Sequence, residues 1–186
     1  MEKKLDLRVQ KTLAALTKAQ YDLMCEKSLD EITVTELCDR AVIRKTTFYK
    51  HFGDKTELLV YMIREMQRLS EENNTIGYDP NEPSSFYSGA FRYLLEFIES
   101  NEHFVVNVLH SNSWSAVRNI LEEQIRRSAD EHLRHEDRAD VREFHGMLSA
   151  IFAGAVVSGG VWWVTQKNRP EKEQIIRQFS EYVGRL

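Results

Sequence analysis

Proline occurs at three positions only, Pro80, Pro83 and Pro170, so residues 1–79 and 84–169 run without one. Only 8 glycines accompany them in 186 residues. A chain so poor in the two strongest turn-formers has few places for hairpins or for the closely spaced turns of a sandwich, and a mostly helical fold is expected. The hydrophobic share of 42% and charged share of 29% suit a globular protein of one or two domains and exclude collagen-like, mucin-like and disordered chains. Two cysteines, Cys25 and Cys38, cannot build a disulfide framework; they are expected as small buried hydrophobes in a cytoplasmic protein. The opening Met-Glu-Lys-Lys-Leu-Asp has no apolar stretch after its basic residues, which argues against a signal peptide.

Turn residues concentrate in Asn73–Pro83, the best linker in the chain. Before it, apolar residues at Val9, Leu13, Leu16, Leu23 and Met24 predict a helix over 5–27. Three further pieces are predicted at 33–40, 44–50 and 54–72; the two short ones must pack on neighbours, because isolated helices of that length are unstable. Beyond the linker, the stripe Phe86, Ala90, Tyr93, Leu94, Phe97 and Ile98 predicts a helix over 84–100. Others are expected at 102–109, 113–135 and 138–167, with Pro170 opening a last one in its first turn. The expectation is an all-α chain of about nine helices. Its parts would be a helix-turn-helix domain at 1–55, a connecting helix and linker at 56–83, and a helical bundle at 84–186.

Met147–Val164 holds 18 residues without a charge. As a helix it would span about 27 Å, the lower limit for crossing a membrane. It also holds Gly154, Gly159, Gly160, Ser149 and Ser158, and no second segment could accompany it in a bilayer. The expectation is a buried helix with one side on its own subunit and the other on a twin, and no membrane partner. Ala150, Gly154, Val157, Ser158 and Val161 form a small-residue seam, matched by Ile175, Phe179 and Tyr182 on the last helix. Two such helices per subunit predict a four-helix homodimer interface.

The stretch from Asp30 to Leu59 carries the function. Thr33 can cap a short helix, with Glu36 as the returning partner of a capping box. Val34, Leu37, Cys38 and Ala41 face inward at helical spacing, and Ala41-Val42-Ile43 turn into a second short helix whose apolar side is Phe48 and Phe52. Two short helices across a tight turn make a helix-turn-helix. The second helix leaves Arg44, Lys45, Thr46, Thr47, Lys50 and His51 mostly outside, as donors for guanine edges and phosphates, with Tyr49 at the rim for a phosphate oxygen. The charge agrees: residues 1–55 hold 11 Lys+Arg against 9 Asp+Glu, whereas the whole chain has a net charge of −4.

These residues resemble the DNA-binding domain of TetR-family transcriptional regulators. Thr33-Val34 opens the first motif helix, Ala41-Val42-Ile43-Arg44 forms the turn, Thr47-Phe48-Tyr49-Lys50-His51-Phe52 is the recognition segment, and Asp54-Lys55 starts the next helix. The Gly-Gly-Val-Trp-Trp at 159–163 resembles a subset common in Firmicutes, some of whose members activate dihydroxyacetone kinase operons. The resemblance implies phosphate contacts by Thr33, Tyr49 and Lys55 and base-facing residues Arg44, Lys45, Thr46 and Lys50. It further implies a homodimer on double-stranded DNA with a near-palindromic operator, a repressor controlled by an effector. The effector, a small molecule or a partner protein, is expected at Tyr93, Phe97, Phe104, His110, Trp114, Phe152 and Trp163. Two residues depart from the pattern and bear on which bases are read. Val42 replaces the usual turn glycine, so it either avoids positive φ or carries strain, and Arg44 replaces a serine cap with a cation.

The alternative is an interaction protein, a co-regulator acting through a partner bound to the helical body. No cofactor or metal is expected. His132 and His135 lie three apart and His103 and His110 seven apart, but in so charged a setting the first pair is expected on a solvated surface. Gly-x-Ser-x-Gly, phosphate-loop, dinucleotide and His-Glu-x-x-His patterns are absent, so no enzyme is expected.

Overall fold

The computed structural model describes residues 6–72, 84–135 and 137–183. The linker expected at 73–83 lies outside them. Among the described residues the chain is helical throughout, with ten α-helices: α1 (Leu7–Glu26), α2 (Val34–Ala41), α3 (Lys45–Phe48), α4 (Lys55–Glu72), α5 (Ser84–Ser100), α6 (Glu102–Leu109), α7 (Trp114–Arg134), α8 (Ala139–Glu143), α9 (His145–Thr165) and α10 (Lys172–Val183). A 3-10 turn at Leu29–Glu31 precedes α2.

Two compact units divide the chain. One comprises the residues up to Met66 together with His103–Ala116, the other Gln67–Glu102 and Val117 onward. In the first, α1 buries Leu13, Leu16, Ala19, Gln20, Leu23 and Met24. These residues lie three or four apart, one helical face. Leu37 and Cys38 of α2, Phe48 of α3 and Leu58 and Leu59 of α4 complete the core, all nearly without solvent contact. Burial pushes the Cys38 thiol pKa up. Helix α6 belongs here by contact, because Phe104 stacks on Tyr21 at 5.1 Å and Asn107 Nδ2 donates to the Met24 carbonyl at 2.7 Å.

The capping box falls one turn earlier than the sequence suggests. Ser28 and Glu31 cap the 3-10 turn reciprocally. Thr33 Oγ1 does accept the Glu36 N–H at 3.2 Å. The Glu36 carboxylate, however, turns away to Lys27 Nζ at 2.6 Å, a cation it prefers to a backbone N–H, and that pairing lowers its pKa.

In the second unit α5 packs against both α9 and α10. Its buried residues are Phe86, Phe91, Leu95 and Ile98. Phe91 and Leu95 fall outside the predicted stripe because a helix with two neighbours needs a wider apolar arc than one with a single neighbour. Contact with α9 requires glycine. A Cβ on Gly160 would stand 2.7 Å from Leu94 Cδ2, and one on Gly159 would stand 3.0 Å from Phe91 Cε2. Phe91 in turn stacks on Phe179 of α10 at 4.1 Å.

The single helix predicted at 138–167 is two. The backbone leaves helical geometry at Phe144 (φ −106°, ψ 17°), which closes α8 and precedes α9 without a side-chain cap. The break lets His145 Nδ1 meet Asp130 Oδ1 of α7. Pro170 lies two residues before α10 rather than inside its first turn, and its carbonyl accepts the indole N–H of Trp163 at 3.0 Å. His132, expected on a solvated surface, instead stacks on Phe86 at 4.4 Å, as a flat ring can against an aromatic face. Helix α9 is long and apolar enough to cross a membrane, yet it buries Ser149, Phe152, Ala153, Val156, Val157, Gly160, Trp163 and Val164 inside the unit, as a core helix does.

Candidate nucleic-acid interface

Helix α2 ends in a tight reversal. The Val42 N–H donates to the Asp39 carbonyl at 3.2 Å and the Ile43 N–H to the Cys38 carbonyl at 2.9 Å, the two bonds that close a helix through a left-handed residue. That residue is Val42 itself, at φ 57° and ψ 43°, and among the described residues it is the one non-glycine with positive φ. A side chain there costs roughly 1–2 kcal/mol. Of the two options the sequence left for Val42, the structure takes the strained one.

The reversal delivers Arg44 to the N-cap of α3, where it makes no side-chain cap bond. Helical hydrogen bonding continues as a turn beyond α3, with the His51 and Phe52 N–H groups on the Phe48 carbonyl. Phe48 is fully buried, Phe52 nearly so, and Phe52 meets Tyr61 of α4 at 5.5 Å. Both anchor α3 from within and neither is a wedge for DNA. The opposite side presents Arg44, Lys45, Thr46, Tyr49 and Lys50 to solvent, while Thr47 and His51 are half-buried. Three cations, hydroxyls and a phenol on one exposed face of a short helix match the donors that phosphates and major-groove base edges accept.

Lys55 stands elsewhere. Its Nζ lies 2.6 Å from the Leu29 carbonyl, 3.0 Å from that of Asp30 and 2.7 Å from that of Ile32. An ammonium has three donors, and here each has an acceptor. A phosphate contact by Lys55 would have to displace one of them. Lys55 therefore acts in this structure as a pin that holds the segment leading into Thr33 against the start of α4.

Several residues of the first unit escaped sequence reasoning. Gln20 is fully buried and its Nε2 donates to the Lys55 carbonyl at 3.1 Å. Its place on the apolar stripe of α1, between Leu16 and Leu23, was the available signal. Asp30 Oδ2 accepts the Asn112 N–H at 3.0 Å, and the Thr56 and Ser113 hydroxyls lie 3.2 Å apart. Those pairs join residues more than 50 positions apart and leave no local pattern.

The seven residues expected around an effector divide between the units. Phe104, His110 and Trp114 belong to the first, where Phe104 is core and His110 is exposed. Tyr93, Phe97, Phe152 and Trp163 belong to the second. Trp163 is buried, with its N–H used by Pro170 and the Arg169 guanidinium 5.4 Å over its ring. Phe152 joins an aromatic cluster with Phe86, Tyr87 and Phe179.

The expected dimer seam divides likewise. Val157 is buried, and Phe179 is half-buried against Phe91, so both serve their own protomer. Ala150, Ser158 and Tyr182 are exposed, and Gly154, Val161 and Ile175 are half-buried. The solvent side of α9 adds Met147, Ile151 and Trp162, each about half exposed, with Phe144 just before the helix. No group of three or more metal-ligating side chains occurs among the described residues.

A helix-turn-helix with a solvated cationic second helix, followed by a helical bundle, defines a DNA-binding transcriptional regulator. Residues 16–62 match the family described as "Bacterial regulatory proteins, tetR family" and residues 87–184 match "Transcriptional regulator C-terminal region". The chain belongs to the TetR family of bacterial transcriptional regulators, a family of DNA-binding proteins and not of enzymes. Over 82 residues, 44% of this chain, it is 39% identical to an uncharacterized HTH-type transcriptional regulator, YxbF of Bacillus subtilis; the match spans 22% of that relative. The fold is similar to that of Lin0861 from Listeria innocua (TM-score 0.67, 20% identity, 99% of this chain and 95% of that one). It is also similar to that of the dihydroxyacetone kinase operon activator DhaS (TM-score 0.54, 18% identity, 94% of each chain). Identities that low speak to fold alone.

Proposed function

We propose that the protein is a homodimeric, effector-controlled repressor that acts in the cytoplasm on a near-palindromic operator. One observation carries this reading: Phe48 and Phe52 bury one side of the recognition segment while Arg44, Lys45, Thr46, Tyr49 and Lys50 stay in solvent on the other. Arg44, Lys45, Thr46 and Lys50 would face the bases, and Tyr49 and Thr33 the phosphates. Two such helices entering successive major grooves require a two-fold axis. Met147, Ile151 and Trp162, each about half exposed and spaced along one face of α9, support that axis, because large apolar side chains left in solvent on one helix face mark an interface. The effector reading is supported by the aromatic residues gathered in the second unit, where Phe86, Tyr87 and Phe179 pack around Phe152 and His132 stacks on Phe86.

Sedimentation of the purified chain with and without its DNA tests the proposal. A dimer alone, and two protomers per duplex, are expected. A chain that binds DNA only after a second protein is added would favour the co-regulator reading, and a monomer at micromolar concentration on its own would overturn the dimer.

A further inference from the structure

Val42 combines two features that folding of the protomer does not explain. Its backbone is left-handed, and its isopropyl group is 91% exposed. Glycine would close the same turn with no such strain, and an exposed side chain buries nothing that could offset the cost. A strained residue that folding does not reward points to an interaction made with a partner.

The placement of Val42 says which partner. Two peptide units separate Val42 from Arg44, so their Cα atoms lie at most about 7.6 Å apart, and Arg44 opens the recognition helix. The major groove that such a helix enters is about 12 Å wide, so a group this close to the helix N-terminus reaches the base edges or the groove wall. Valine offers no hydrogen bond. The apolar group on the base edges of that groove is the 5-methyl of thymine.

We propose that Val42 is a specificity-determining contact of this protein, its isopropyl group packing on the 5-methyl of a thymine beside the bases read by Arg44 and Lys45. The inference rests on the reading of residues 44–50 as the recognition segment. It assigns the turn, and not only the helix, a role in choosing the operator.

The test uses the duplex that the intact protein selects from a random pool, with each thymine replaced in turn by deoxyuridine, which lacks the methyl. Parent, Val42→Gly and Val42→Ala are compared for operator affinity and for unfolding midpoint. One replacement per half-site is expected to weaken the parent about fourfold, the effect of one buried methyl group, and to leave both variants unaffected. Val42→Gly is expected to unfold at higher temperature and yet bind the operator more weakly, opposite signs that a merely structural valine does not give. Val42→Ala keeps the strained backbone and is expected to lose the same thymine preference, so the result does not depend on how glycine loosens the turn. Equal affinity of all three proteins, or identical deoxyuridine profiles, would overturn the inference while leaving the recognition segment in place. Failure of the parent to select any sequence would overturn the recognition segment itself.

Discussion

The carboxylate of Asp30 accepts the backbone N–H of Asn112 at 3.0 Å, which fastens the turn before α7 to the 3-10 turn before α2. The carbonyl of the same Asp30 receives the Lys55 ammonium, and the Thr56 and Ser113 hydroxyls lie alongside. Residues 103–116 therefore belong to the DNA-reading unit by contact although they fall within the matched C-terminal region. Asp30→Ala is expected to speed amide hydrogen exchange at Asn112 and through α6 while leaving α1 protected. Unchanged exchange at Asn112 would show that the carboxylate does not hold the turn.

Lys55→Met removes the donors to three carbonyls, two of these contacts part-buried, and is expected to destabilise the first unit by about 1–3 kcal/mol. The slope of operator affinity against salt should not change. If Lys55 instead neutralised a phosphate, that slope would fall by about one unit. Tyr49→Phe gives the complementary pattern, with unchanged unfolding and operator and non-operator DNA weakened alike. Urea unfolding and salt titrations on the two variants separate these roles.

The two glycines of α9 make opposite predictions. Gly160→Ala drives a Cβ to 2.7 Å from Leu94, an overpacking expected to cost about 1–3 kcal/mol. A Cβ on Gly154 meets nothing within 4 Å in the protomer. Gly154→Ala should therefore leave the protomer folded or stabilise its helix by roughly 0.5–1 kcal/mol, and any weakening of self-association measured by sedimentation would place Gly154 against a twin.

Acid should loosen the second unit first at its ion pairs. The hydrogen bond from Arg92 holds the Glu173 carboxyl below the usual carboxylate range, and that from His145 does the same for Asp130. A carboxyl with a lowered folded-state pKa contributes stability that is fully present above its unfolded pKa, about 4, and is lost as pH falls through the lowered value. The stability difference between the parent and Glu173→Gln is thus expected to shrink as pH falls below about 4. A difference that persisted at lower pH would mean that the Arg92 pair is not its source.

Helix positions were legible in the sequence wherever apolar spacing and capping residues agreed. The bounds of α5 and α6 and the helix-turn-helix followed from proline placement, Thr33 and the Phe48–Phe52 spacing. The break at Phe144 was not legible, because no proline marks it, Gly146 falls inside α9 beyond it, and the contact it permits is to Asp130 of another helix. The carbonyl partners of Lys55 were hidden as well, because Leu29, Asp30 and Ile32 lie 26, 25 and 23 positions from it and no local pattern links them. The residues expected around an effector divide between two units, and that division depends on Tyr21 holding Phe104, a pairing across 83 positions.

Selection of duplex DNA from a random pool by the purified chain tests the central claim most directly. The account predicts one enriched inverted repeat, its halves centred about one helical turn apart, bound by two protomers and weakened at one position per half by Lys45→Ala. No enriched sequence, or a single unrepeated half-site bound by one protomer, would contradict it.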